Sequence, residues 1–157
     1  MGNEDITGIK AETSIQAVRV QDVWEYIKPA IESIVSELPW KNFRTEDIYA
    51  SCAAGESVVF VDAGEPLGES FTVARLNTNE STGEKTLFLW ISYSSTQETA
   101  GRVMEAIEQI AANSGCSYIE FITGSEKLVE YGKANGFDRI MYEVRKSVTP
   151  RTPQGGE

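Results

Sequence analysis

Two cysteines, Cys52 and Cys116, and no histidine limit the reactive side chains of this chain. A cysteine nucleophile needs a base to form its thiolate, and no imidazole is present to serve. Neither cysteine belongs to a C-x-x-C pair, so neither a zinc nor a redox site is supported, and no metal is expected. Both stand beside apolar residues and read as buried free thiols, a usage that fits a reducing compartment.

Bulk properties narrow the class. A chain of 157 residues suits one domain, and at this length roughly 70% of the unfolded surface can be buried. Hydrophobic residues at 41% exclude a disordered chain over most of the length. No apolar run approaches the ~20 residues of a membrane span, so no membrane partner is expected. The acidic start Met1-Gly2-Asn3-Glu4-Asp5 has no apolar stretch behind it, and no secretory signal is expected. Gly2 follows Met1, but a lipidation signal needs Ser or Thr at position 6, which is Ile6. The net charge of −10, from 24 acids against 14 bases, repels phosphate backbones, so no direct nucleic-acid binding is expected. The acids are dispersed, which fits solubility; a docking surface for a basic partner or a nucleic-acid mimic is the sharper alternative.

Residues 1–13 read as a loose tail, 14–148 as one domain, and 149–157 as a disordered C-terminal tail. Ile15 to Val20 forms a short strand. Asp22 then N-caps a helix with Trp24, Ile27, Ile31, Ile34, Val35 and Leu38 on one face, which Pro29 kinks or starts late. Thr45 N-caps a second helix, with Glu46 and Asp47 in its first turn and Gly55 past its end. Strands follow at Ser57 to Val61, Phe71 to Leu76 and Thr86 to Tyr93. The last is apolar on both faces, which marks a central strand, and it holds no carboxylate. Gln97 to Asn113 is a helix with Ala100, Val103, Met104, Ile107, Ile110 and Ala111 at 3–4 spacing. Ser117 to Ile122 is a further central strand. A short helix carrying Leu128, Val129 and Tyr131 stops at Asn135-Gly136, and a closing strand spans Asp138 to Val144.

This order resembles the GNAT (N-acetyltransferase) superfamily over roughly residues 15–148. The fold class it implies is α/β of the α+β kind: a mixed, mostly antiparallel twisted sheet of six to seven strands flanked by about four helices. Val23-Trp24, Lys28-Pro29-Ala30, Thr45-Glu46-Asp47-Ile48-Tyr49, Gly115-Cys116, Ile119-Glu120-Phe121 and Gly136-Phe137 are similar in order and spacing to the small GNAT-like proteins encoded by bacteriophages.

The resemblance implies acetyl-CoA as cofactor. Its pyrophosphate would meet the helix that starts at Gln97, where the dipole and open amides favour phosphate. The superfamily pattern there is Gln/Arg-x-x-Gly-x-Gly/Ala; this chain has Gln97-Glu98-Thr99-Ala100-Gly101-Arg102. Gln97 agrees, Ala100 stands for a glycine, and Arg102 stands for a small residue and offsets Glu98. An ordinary helix start is the competing reading. The pantetheine arm would pair with the backbone of Ile91, Ser92 and Tyr93, where two strands splay. The general acid is a tyrosine five residues before the Phe of the Gly-Phe ending. That position is Gly132 here, and Tyr131 is its neighbour, rotated by ~100° on a helix. Glu69 and Glu120 are the carboxylates near the central strand by topology.

Two functions follow. One is acyl-CoA-dependent transfer to an amine, with Tyr131 or water moving the proton. The other is a non-catalytic protein, associated with a virion or with a host target, that keeps the fold as a scaffold and binds a phage or host protein. Both place the chain in the host cytoplasm, the second also in the virion. Trp40 is a candidate exposed aromatic for self-association; no oligomeric state follows from the sequence.

Overall fold

Alternating apolar residues in four segments build an antiparallel meander, and a fifth strand joins it by a helical crossover. The structure, a computed structural model, describes residues 14–38 and 42–150, which divide into two compact units parting between Gly124 and Ser125. The tail at 1–13, most of the tail at 149–157, and Trp40 lie outside the described residues.

In the first unit the strands are β1 (Ile15–Val18), β2 (Val58–Asp62), β3 (Ser70–Thr78), β4 (Lys85–Ser94) and β5 (Tyr118–Phe121), in that spatial order. The first four are antiparallel and β5 runs parallel to β4. A parallel neighbour requires a long crossover, here the helix α3 (Gln97–Asn113). The helices α1 (Val20–Glu37) and α2 (Thr45–Ala53) lie between β1 and β2 in the chain.

The apolar spacing sorts the helices onto the sheet. Val20, Val23, Ile27 and Ile31 of α1 and Ile48 of α2 are buried with Val59, Val61, Phe71, Val73 and Ile91. Val103, Ile107 and Ala111 of α3 are buried with Ala74, Leu87 and Leu89. Val73 and Ala74 are adjacent yet join different clusters, so the two clusters occupy opposite faces of the sheet.

Several local expectations are corrected. The N-cap of α1 is Arg19, and Asp22 sits in the first turn, where a carboxylate complements the dipole without capping. Pro29 lies inside a helix that continues to Glu37. Arg44, not Thr45, is the N-cap of α2. The capping role falls to the Asp47 carboxylate, which reaches back to accept from the Arg44 backbone N–H at 2.8 Å. Among the described residues β5 is the last strand of the sheet rather than a central one, and five strands are present with four helices. Asp138–Val144 is not a strand. Alternation of Ile140, Tyr142 and Val144 permits pairing, but a strand exists only against a ladder partner. Residues 137–150 carry no regular structure, and Tyr142 and Val144 are exposed.

In the second unit α4 (Glu126–Ala134) is capped by Ser125, whose side chain accepts from the Leu128 N–H. It ends at the expected glycine. Gly136 has φ of 87°, and the Phe137 N–H donates to the Gly132 carbonyl at 2.9 Å, closing the turn.

One glycine shows how the β2–β3 loop meets α1. Gly68 has φ of +90°, and a Cβ there would lie 2.5 Å from the Tyr26 carbonyl oxygen. Gly68→Ala is expected to cost roughly 2 kcal/mol, from backbone strain and the clash together. Urea unfolding checks it, and a cost below about 0.5 kcal/mol would contradict the close approach.

Candidate functional site

The main irregularity of the sheet is at Trp90. Ile91 pairs with Val73 and Leu89 with Ala74, so Trp90 is an extra residue in β4 with no partner of its own in β3. Such a bulge bends the strand and turns the side chains that follow. It explains why Leu89 and Ile91, two apart, join clusters on opposite faces.

The ladder between β4 and β5 ends beside the bulge. It pairs Thr86 with Tyr118, Leu87 with Ile119, Phe88 with Glu120 and Leu89 with Phe121, while β4 continues to Ser94. Ile91, Ser92 and Tyr93 therefore pair with Val73, Thr72 and Phe71 on one side, and no described strand pairs with them on the other. Backbone groups of a strand point alternately to its two sides, so this stretch presents hydrogen-bonding groups where β5 has stopped. Its β3 side is firmly held: the Ser92 hydroxyl is 2.8 Å from that of Thr72, and the rings of Phe71 and Tyr93 lie 5.9 Å apart.

The start of α3 follows Ser94 by two residues. Thr96 is its N-cap, and the Thr96 hydroxyl accepts from the Thr99 N–H at 3.1 Å. Thr99 is buried and its own hydroxyl donates to Glu65 at 3.0 Å. Gln97 and Gly101 are exposed and Ala100 is half-buried. Space around Gly101 is open, since a Cβ added there meets nothing within 4 Å.

Arg102 departs from the expected role. Its guanidinium donates to Asp62 at 2.8 Å and lies 3.6 Å from Glu65, so its charge is already matched inside the protein. Asp62, whose side chain is fully buried, also accepts from the Ser14 hydroxyl and, at 2.9 Å, from the Gly64 N–H. Burial opposes the charge of Asp62. The hydrogen bonds from Ser14, Arg102 and Gly64 outweigh it, and the carboxyl is held below its ordinary value. The Asp62 bond in turn raises Arg102. Asp62 lies just past the strand expected to end at Val61, and nothing in local spacing connects it with a residue 40 positions away.

Tyr131 is half-buried on α4 in the second unit, and its carbonyl accepts from the Asn135 backbone and side chain. Glu120 is exposed, in register with Phe88, one pair before the β4–β5 ladder ends. Glu69 is exposed in the loop before β3. The motif residues Trp24, Lys28, Glu46 and Tyr49 converge elsewhere, on a groove of about 530 Å³ along α1 and α2, with Trp24 and Tyr49 edge to face at 5.0 Å. Cys52 and Cys116 are half-buried free thiols, and burial pushes Cys52 up to about 11, which suits an inert side chain. Among the described residues no group of three or more potential metal ligands is gathered, and no helix is long and apolar enough to cross a membrane.

No family profile and no curated protein sequence matches this chain. Solved structures do. An aminoglycoside acetyltransferase from an uncultured soil metagenomic sample, in complex with sisomicin, superposes with a TM-score of 0.64 at 11% identity, covering 91% of this chain and 99% of that one. A putative acetyltransferase from Pyrococcus furiosus gives 0.63 at 15%, covering 85% and 99%. An acetyltransferase from Trypanosoma brucei gives 0.60 at 14%, covering 85% and 98%. The chain has the GNAT fold. At these identities the likeness carries the fold alone.

Proposed function

We propose that this GNAT domain binds an acyl-CoA and transfers its acyl group to an amine. The observation that carries the reading is the open edge of β4 beyond Leu89. Backbone groups of Ile91, Ser92 and Tyr93 would hold the amide-containing pantetheine arm as a strand holds its neighbour. A β4 N–H at the bulge would take the thioester oxygen as charge develops on it. The diphosphate would lie at the start of α3, near Gln97, Ala100 and Gly101, with Arg102 contributing little while Asp62 and Glu65 hold it. The amine nitrogen attacks the thioester carbon, the carbon–sulfur bond breaks, and the thiolate takes a proton. Tyr131 is the proton donor proposed from the superfamily resemblance, and water or Glu120 takes the proton that the amine loses.

The second reading is a non-catalytic scaffold, virion-associated or bound to a host protein. The lock on Arg102 favours it, because the cation at the phosphate end is committed to internal carboxylates. Calorimetric titration with acetyl-CoA decides between them. Micromolar binding supports the enzyme reading, and Tyr131→Phe should then lower kcat by roughly 10–100-fold at unchanged affinity. No binding at millimolar ligand removes the enzyme reading and turns the search to protein partners.

A further inference from the structure

Arg75 is a half-buried cation set against an aromatic ring. The chain has ten more acids than bases, yet among the described residues no carboxylate lies within ion-pair distance of Arg75, which is half-buried. Instead its guanidinium carbon lies 5.7 Å from the centre of the Trp90 ring. Trp90 is held from another side by Phe43, ring to ring at 5.2 Å. A guanidinium beside an aromatic ring makes no hydrogen bond to it through most of its N–H donors, which stay available to another partner. No side chain or carbonyl of the described residues takes them. Half-buried, with unused donors in a fixed fork, the group matches a planar anion supplied from outside.

Its place gives that anion a role. Trp90 is the bulge residue, directly after the last β4–β5 pair. Arg75 lies across the ladder from Phe88, which is itself in register with Glu120. The cation therefore stands beside the point where a thioester would be exposed, against an apolar wall formed by Phe43 and Trp90. Resting on the acyltransfer reading, we infer that the acceptor is an amino-acid-like amine: a primary amine carrying a carboxylate that Arg75 grips, with an apolar side chain set against Trp90 and Phe43. A polycationic acceptor is disfavoured at this point, because Arg75 repels it.

The test compares an amino acid with the amine that lacks only its carboxylate. With acetyl-CoA and the full chain, L-phenylalanine is expected to be acetylated with kcat/KM roughly 30-fold above phenethylamine, the worth of one charge-assisted fork. Arg75→Gln should erase that preference by raising KM for phenylalanine far more than KM for phenethylamine. Arg75→Lys, which keeps the charge without the fork, should retain part of it. Equal use of both amines, or a preference that survives in Arg75→Gln, overturns the inference while leaving acyltransfer intact. A second titration needs no CoA: N-acetyl-L-phenylalanine added to the protein, read by tryptophan fluorescence and calorimetry. Arg75-dependent binding without any acetyl-CoA binding retains the carboxylate site and removes the acyltransfer reading. No binding of N-acetyl-L-phenylalanine to the wild-type chain overturns the carboxylate site itself.

Discussion

Deleting Trp90 is expected to leave a folded protein that has lost acetyl-CoA binding. The reason lies in the register. Ala74 faces Leu89 and Val73 faces Ile91, so without Trp90 the two strands align one to one. Leu89 and Ile91 become neighbours and point to opposite faces, as their clusters already require. The deletion therefore heals the ladder without turning any core residue to solvent, unlike the usual one-residue slip. Its stability cost is the packing of one half-buried ring against Phe43, about 1–3 kcal/mol. The functional cost is larger. An unbent β4 can continue its parallel pairing with the residues after Phe121, and the backbone groups of Ile91, Ser92 and Tyr93 are then no longer available to a ligand. Loss of several such bonds weakens acetyl-CoA by roughly 100-fold or more. Circular dichroism and urea unfolding establish that the variant is folded, and calorimetry reads the affinity. A folded variant binding as tightly as the wild type would remove the bulge from the site.

Much of the fold was legible because it is written in periodicity. The α1 stripe at Trp24, Ile27, Ile31, Ile34 and Val35, the α3 stripe at Val103, Ile107 and Ala111, and the two-sided apolar run in β4 from Leu87 to Ile91 all predicted burial, and each is buried or half-buried as that spacing demands, while Tyr93 at the end of the run is exposed. The helix ends were legible by type but not to the residue. Capping can pass from the N-cap side chain to an acid three positions on, as Asp47 shows at Arg44. The closing strand was misread for a different reason. Ile140, Tyr142 and Val144 satisfy a local rule, whereas strand formation is decided by a neighbour the rule does not see. Ile91, Ser92 and Tyr93 fall on the open edge of β4, a property of backbone pairing that no side chain encodes. The bulge itself left only a trace, in that Phe88, Trp90 and their neighbours made both faces of β4 apolar. Arg102 was noticed as an intruder in a small-residue pattern. Its partners Asp62 and Glu65 were not, since an ion pair between β2 and α3 leaves no periodic signal.

Asp62→Asn is expected to cost about 3 kcal/mol near neutral pH, because it leaves Arg102 without its main partner and places amide hydrogens against the donors that the carboxylate accepted. The side chain is fully buried and receives bonds from Ser14, Gly64 and Arg102. The half-exposed Arg102 can recover part of its hydration, which keeps the cost below that of a fully buried pair. The pH dependence has a definite sign. Asp62 is held below its ordinary value when folded, so its contribution is complete above the unfolded-state value of about 4 and is lost as pH falls through the folded-state value. The gap between wild type and Asp62→Asn should therefore be full near neutral pH and shrink in acid. Urea unfolding at both ends of that range measures it. A gap below about 1 kcal/mol at neutral pH, or one that widens in acid, would contradict the lock. The same variant bears on function, because stability and cofactor affinity should move in opposite directions. With Asp62 neutral, Arg102 is held only by Glu65 and can turn toward a diphosphate at the start of α3, so acetyl-CoA should bind several-fold tighter in a less stable protein. If the chain is a scaffold that binds no CoA, the stability loss remains and no binding appears in either protein, which assigns the lock to folding alone.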